Sequence, residues 1–177
     1  MTRLVLVDET KRAGYVMVAV AVDDPPAVRH VLRGLILPGQ RRLHMHSEQG
    51  RRRRAILSAV VSAGVETTVY DASRRYPTEL AARAACLAAV VEDLAAGAGD
   101  VRLIIEGDDS LVHSDRQQLY QLVRRAAVAD TVVYEHGKAH EEPLLALPDV
   151  VAWSWVRSGE WRRRLGPVVT AVRHLDL

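Results

Sequence analysis

The sequence has no phenylalanine and one cysteine. Of its 24 basic residues, two are lysine, Lys11 and Lys138, and the rest arginine. A lone cysteine, Cys86, excludes an intrachain disulfide. Three Trp and five Tyr leave little aromatic surface for a base-stacking platform. No apolar run reaches the roughly 18 residues of a membrane span. The first residues lack the basic, apolar and small-residue regions of a signal peptide. These absences lead us to expect a cytoplasmic chain with no membrane partner. No Gly-x-x-x-x-Gly-Lys-Ser/Thr, no Gly-x-Gly-x-x-Gly after a strand and no Gly-x-Ser-x-Gly elbow occurs, which removes P-loop, Rossmann and serine-hydrolase signatures.

The remainder reads as a globular chain of 177 residues, 49% of them hydrophobic, with a net charge of +2. That length suits one domain, residues 1–177. Hydrophobic periodicity alternates between strand and helix. Strands are predicted at 3–8, 15–22, 41–47, 65–72, 101–107 and 131–135, the first two joined as a hairpin across Lys11–Gly14. Helices are predicted at 25–36, 51–64, 77–97, 114–128 and 148–165. Ser114 is read as the N-cap of the fourth, and Leu80, Ala84, Leu87, Val91 and Leu94 as the buried stripe of the third. An opening hairpin followed by α/β alternation implies an α/β fold, with a mixed β-sheet and helices on both faces.

Acidic residues fall at the ends of these strands. Asp8 ends the first, Asp71 the fourth and Glu106 the fifth, with Asp108 and Asp109 just beyond. Asp149 lies in the first turn of the last helix, where the dipole favours its ionised form. Clustered carboxylates repel, and a divalent cation is a reason to gather them. Mg²⁺ or Mn²⁺ takes such hard oxygen ligands and keeps waters for substrate phosphates. The choice between Asp71 and Glu106 depends on which strand neighbours the first. Glu9 points the other way along its strand, as a structural acid.

In "VLVDET", "RLIIEGDDS" and "LALPDVVA" the chain resembles a bacterial family with a ribonuclease-H-like fold, known only as a domain of unknown function. Its members open with Asp-Glu-Ser-Gly between two strands and close on a helix with Gln-Leu-Ala-Asp-Leu. The resemblance implies a ribonuclease-H-like mixed sheet and divalent-metal-dependent phosphodiester hydrolysis on DNA or RNA. It puts Asp8, Glu106 and Asp149 in the catalytic and metal-binding places. "RRLHMHSE" departs from the family's Glu-Leu-His strand. Arg42 stands where an acid belongs, and Glu48 is the nearest substitute. Thr10-Lys11 replaces Ser-Gly, and Ala146 and Pro148 alter the closing motif. A catalytically degenerate module that binds nucleic acid or a protein partner is therefore the alternative.

Three further patterns carry chemistry. The run Arg51, Arg52, Arg53 and Arg54 opens a helix, where cations oppose the dipole and a nucleic-acid phosphate would offset them. His44 and His46 share a strand face, and His136 and His140 stand four apart, together a candidate site for Zn²⁺ or Mn²⁺. Trp153 and Trp161 are read as core. Trp155 lies elsewhere on the wheel; core packing is its first reading too, and a contact with a second copy in a homodimer the alternative.

Overall fold

The computed structural model describes residues 1–176. Strands β1 (Arg3–Thr10) and β2 (Tyr15–Val22) form the predicted hairpin, with Leu4 opposite Val22 and Thr10 opposite Val16. Helices α1 (Pro25–Leu35) and α2 (Gly50–Ser62) precede β3 (Glu66–Ser73). Then follow α3 (Glu79–Ala96), β4 (Val101–Glu106), α4 (Val112–Arg125) and β5 (Val132–Gly137). The chain closes with α5 (Ala146–Arg157), α6 (Gly159–Arg164) and β6 (Val169–His174). Local chemistry explains the starts: the Asp24 carboxylate accepts the Ala27 N–H before α1, and Thr78 accepts the Ala81 N–H before α3.

The sheet order is β5-β4-β1-β2-β3-β6. β2 runs antiparallel to β1 and β3, while β1–β4, β4–β5 and β3–β6 are parallel. This six-stranded mixed α/β sheet, opened by a hairpin, is consistent with a ribonuclease-H-like fold. Leu4, Leu6, Val18, Val20 and Ile104 pack on one face against α1, α2 and α5. Val5, Val7, Met17, Leu103 and Ile105 pack on the other against α3 and α4. Each such side chain contributes about 1.5–3 kcal/mol on burial. Both faces are buried, so a one-residue slip of β1 would exchange two full apolar rows. That register commits Asp8 to the α5 side and Glu9 to the α3 side.

Several predicted elements differ. Residues 41–47 form no strand; only a 3₁₀ turn, Met45–Ser47, is present. The backbone there is satisfied by side chains instead: Arg53 donates to the Met45 and His46 carbonyls, and Asp149 accepts the Met45 N–H. The single closing helix is two, broken where Ser158 and Gly159 both take positive φ, 57° and 55°. A sixth strand, β6, follows it and was not read from the sequence. Ser114 does not cap α4. Asp108 organises that start, accepting the Ser110 N–H and hydroxyl through its carboxylate and the Leu111 and Val112 N–H groups through its carbonyl. α3 is rotated from its predicted stripe: Leu80 is 54% exposed, while Ala82, Arg83, Cys86 and Val90 are buried with Leu87 and Val91. The rotation places Arg83 between Glu9 and Asp115. Trp155 is buried in the α5 core, under the Arg162 guanidinium, and not presented to a partner.

Candidate active site

β1 and β4 pair in parallel up to Val7 opposite Ile105. The next row brings Asp8 and Glu106 side by side on the α5 face of the sheet. α5 packs across β1, and its first turn delivers Asp149 to the same place. The three carboxylates border one pocket of about 270 Å³, with Arg42, His44 and Asp108 around them. Strand order therefore decides for Glu106. Asp71 lies on β3, with β2 between it and β1, and its carboxylate accepts the Ser73 hydroxyl at 2.5 Å. Asp71 is not part of the cluster.

Electrostatics mark Asp8 as the strained member. Its pKa is pushed well above the ordinary carboxylate range. Burial is the main cause, followed by the charges of Glu106, Glu9 and Asp149 and a hydrogen bond with Glu106. The Glu9 N–H donates to Asp8 Oδ1 at 2.7 Å. Glu106 accepts from Arg42 at 2.6 Å. Asp149 accepts the Met45 N–H at 2.9 Å, and His44 Nδ1 lies 3.1 Å from its other oxygen. That contact is the first cause of a raised His44 pKa. Among the described residues, no three His, Cys, Asp or Glu side chains converge as a ready ligand set. Arg42 draws Glu106 aside, and the turn at 44–45 holds Asp149.

The other predicted residues lie elsewhere. Glu48 is buried outside the pocket, where Arg52 and Gln40 donate to it at 2.8 and 2.9 Å and lower its pKa. It does not replace the acid missing at Arg42. The four arginines of α2 separate: Arg52 is committed to Glu48 and the Leu35 carbonyl, and Arg53 to the Met45 and His46 carbonyls. Arg51 and Arg54 are exposed. The four histidines do not meet. His44 and His46 border the α5 side, with ring centroids 6.1 Å apart. His136 is on the α3–α4 side with Nε2 2.9 Å from Asp115, and His140 lies near Glu141 at the surface.

One constellation had no reading in the sequence. Arg83, 2% exposed, donates to both oxygens of Asp115 at 2.8 Å and to the Tyr15 hydroxyl at 3.2 Å, and pairs with Glu9 at 2.7 Å. This charged network lies under the end of β1, across the sheet from Asp8. Its signal was an arginine inside the Ala-rich apolar stretch "LAARAACLAAVV". Arg42 stands out in the sequence as a cation in an acidic position, but its partner Glu106 is visible only in the fold. No protein-family profile and no curated protein matches the chain.

Proposed function

We propose that this protein is a divalent-metal-dependent phosphodiesterase acting on DNA or RNA, related to the ribonuclease-H-like family it resembles. The observation that carries the proposal is that Asp8, Glu106 and Asp149, from three elements distant in sequence, line one pocket. The donor chemistry fits Mg²⁺ or Mn²⁺: three carboxylate side chains of hard oxygen, with Asp8 destabilised as an anion until a cation arrives. Asp8, Glu106 and Asp149 would hold the ion, and Asp108 borders the same pocket. A bound divalent ion supplies a water of lowered pKa and charge stabilisation at a phosphoryl oxygen. The chain's own residues do the rest. The first turn of α5 brings Asp149 to the pocket, and the Met45 N–H orients it. His44, beside Asp149, is placed to take the proton of an attacking water or to give one to the leaving oxygen.

The test is Mn²⁺ binding by calorimetry with wild type, Asp8→Asn and Asp149→Asn, followed by cleavage of labelled DNA and RNA. Binding at millimolar or better, lost in both variants with melting temperature retained, is expected. Binding unchanged by either substitution would end the proposal. Asp149→Ala should likewise abolish cleavage with the fold intact.

A second reading, a catalytically silent module that binds nucleic acid or a protein partner, is favoured by one observation. The Arg42 guanidinium already neutralises Glu106 at 2.6 Å. It predicts little binding of divalent metal and tolerance of Asp8→Asn.

A further inference from the structure

The acidic pocket shares Asp149 and His44 with a neighbouring cleft of about 500 Å³. The tip of the opening hairpin contributes Lys11 and Arg12 to it, and α5 contributes Trp153 and Arg157. Trp153 is buried and serves as a seat for guanidinium groups. Arg157 lies 4.2 Å and Arg53 4.7 Å from its ring centroid. Cation–π contacts of this kind hold a flexible arginine in place.

The basic residues here divide into two classes. Lys11 pairs with Glu79, Arg52 with Glu48 and Arg54 with Glu160. Among the described residues Arg12, Arg53 and Arg157 pair with no carboxylate. Burial, then the charges of Arg12 and Arg53, lower the Arg157 pKa. Glu9 and Asp149 also line the cleft, but Glu9 is paired with Arg83, and Asp149 with His44 and the Met45 N–H, so the repulsion among the arginines is left for an outside anion to relieve. Arginine forks suit phosphate oxygens in particular. With Trp153 covered by two arginines, the cleft offers charge to a backbone and no open ring to a base. Its volume lies in the range of pockets that enclose small ligands, so it admits one strand more readily than a duplex.

We propose that Arg12 and Arg157 form a phosphate-binding subsite that seats a single nucleic-acid strand, without sequence preference, beside the phosphate facing Asp8, Glu106 and Asp149. The proposal rests on the phosphodiesterase reading for its orientation. It is separable by experiment, because strand binding can be measured with metal removed.

The experiment is fluorescence anisotropy of a labelled single-stranded oligonucleotide of about a dozen nucleotides, in EDTA, across a salt series. The proteins are wild type, Arg12→Gln/Arg157→Gln, and Arg116→Gln/Arg125→Gln on α4 as a charge-matched control, both of whose arginines are exposed. Arg12 and Arg157 are exposed, so thermal melting should be unchanged in the double variant. Two lost phosphate contacts should flatten the slope of log affinity against log salt by about 1.4 and weaken binding about tenfold or more. The control should bind like wild type, and a duplex of equal length more weakly. The proposal is overturned if wild type does not bind the strand, if the double variant loses no more than the control, or if the duplex binds better. Strand binding through these arginines without Mn²⁺ binding would leave this subsite standing and remove the hydrolase reading. Mn²⁺ binding without strand binding would do the reverse.

Discussion

Asp115→Asn tests the charged network beneath the end of β1. Asp115 is 2% exposed, and Arg83 donates to both of its oxygens at 2.8 Å. Burial alone would raise its pKa, but the hydrogen bonds from Arg83 and His136 outweigh burial and hold it at about 2, against an ordinary 3.8. Linkage converts that difference to about 2 kcal/mol of stability. The sign follows from the depressed value. The contribution is complete above 3.8, where the unfolded acid is ionised, and is lost as pH falls through about 2. Asn resembles the protonated acid and turns an amide N–H₂ toward the guanidinium. Urea unfolding at pH 7 should therefore show a loss of at least about 2 kcal/mol, approaching the 3–5 kcal/mol typical of a broken buried pair. The gap between wild type and variant should hold steady down to about pH 5 and narrow below about pH 4. A gap under about 1 kcal/mol at neutral pH, or one that widens on acidification, would refute the reasoning. The consequence reaches the candidate site, because Glu9, which Arg83 also holds, is the residue next to Asp8.

Three further outcomes are expected. Arg42→Gln removes the cation that competes for Glu106 and should tighten Mn²⁺ binding about tenfold, or about 1.4 kcal/mol, by calorimetry; an unchanged or weaker affinity would rule out that competition. Gly14→Ala sets a Cβ 2.8 Å from the Ser73 carbonyl carbon at φ +106° and should cost about 1–3 kcal/mol in chemical denaturation, and wild-type stability would contradict the close packing of the hairpin tip on the end of β3. Leu103→Ala opens the α3–α4 side of the core, where Leu103 is fully buried, and should cost about 2–5 kcal/mol; a loss below about 1 kcal/mol would mean that the site collapses around the smaller side chain.

The legible parts of this protein were those with local causes. The hairpin, the apolar β4 and the bounds of α1, α2 and α3 to within a few residues follow from alternation, helical period and caps. The segment at 41–47 misled because apolar and polar residues alternate there. Leu43 and Met45 are buried as that pattern implies, yet their backbone is satisfied by Arg53 and Asp149 across space. β6 was missed because its residues are mostly exposed, so burial left no strong pattern to find. The rotation of α3 was misjudged because a buried arginine is costly except beside acids, and those acids come from β1 and α4.

By itself the sequence determined that β1 ends in two carboxylates on opposite faces, since a strand's period of two is local and both of its faces are apolar. It determined too that Asp149 starts a helix. Only the tertiary structure decided that β4, and not β3, lies beside β1, which selects Glu106 over Asp71. It alone paired Arg42 with Glu106, and Arg83 with Glu9 and Asp115. The physical reason is that strand order and ion pairing depend on which distant apolar faces bury each other best. That free energy belongs to the whole core and leaves no mark at a single residue.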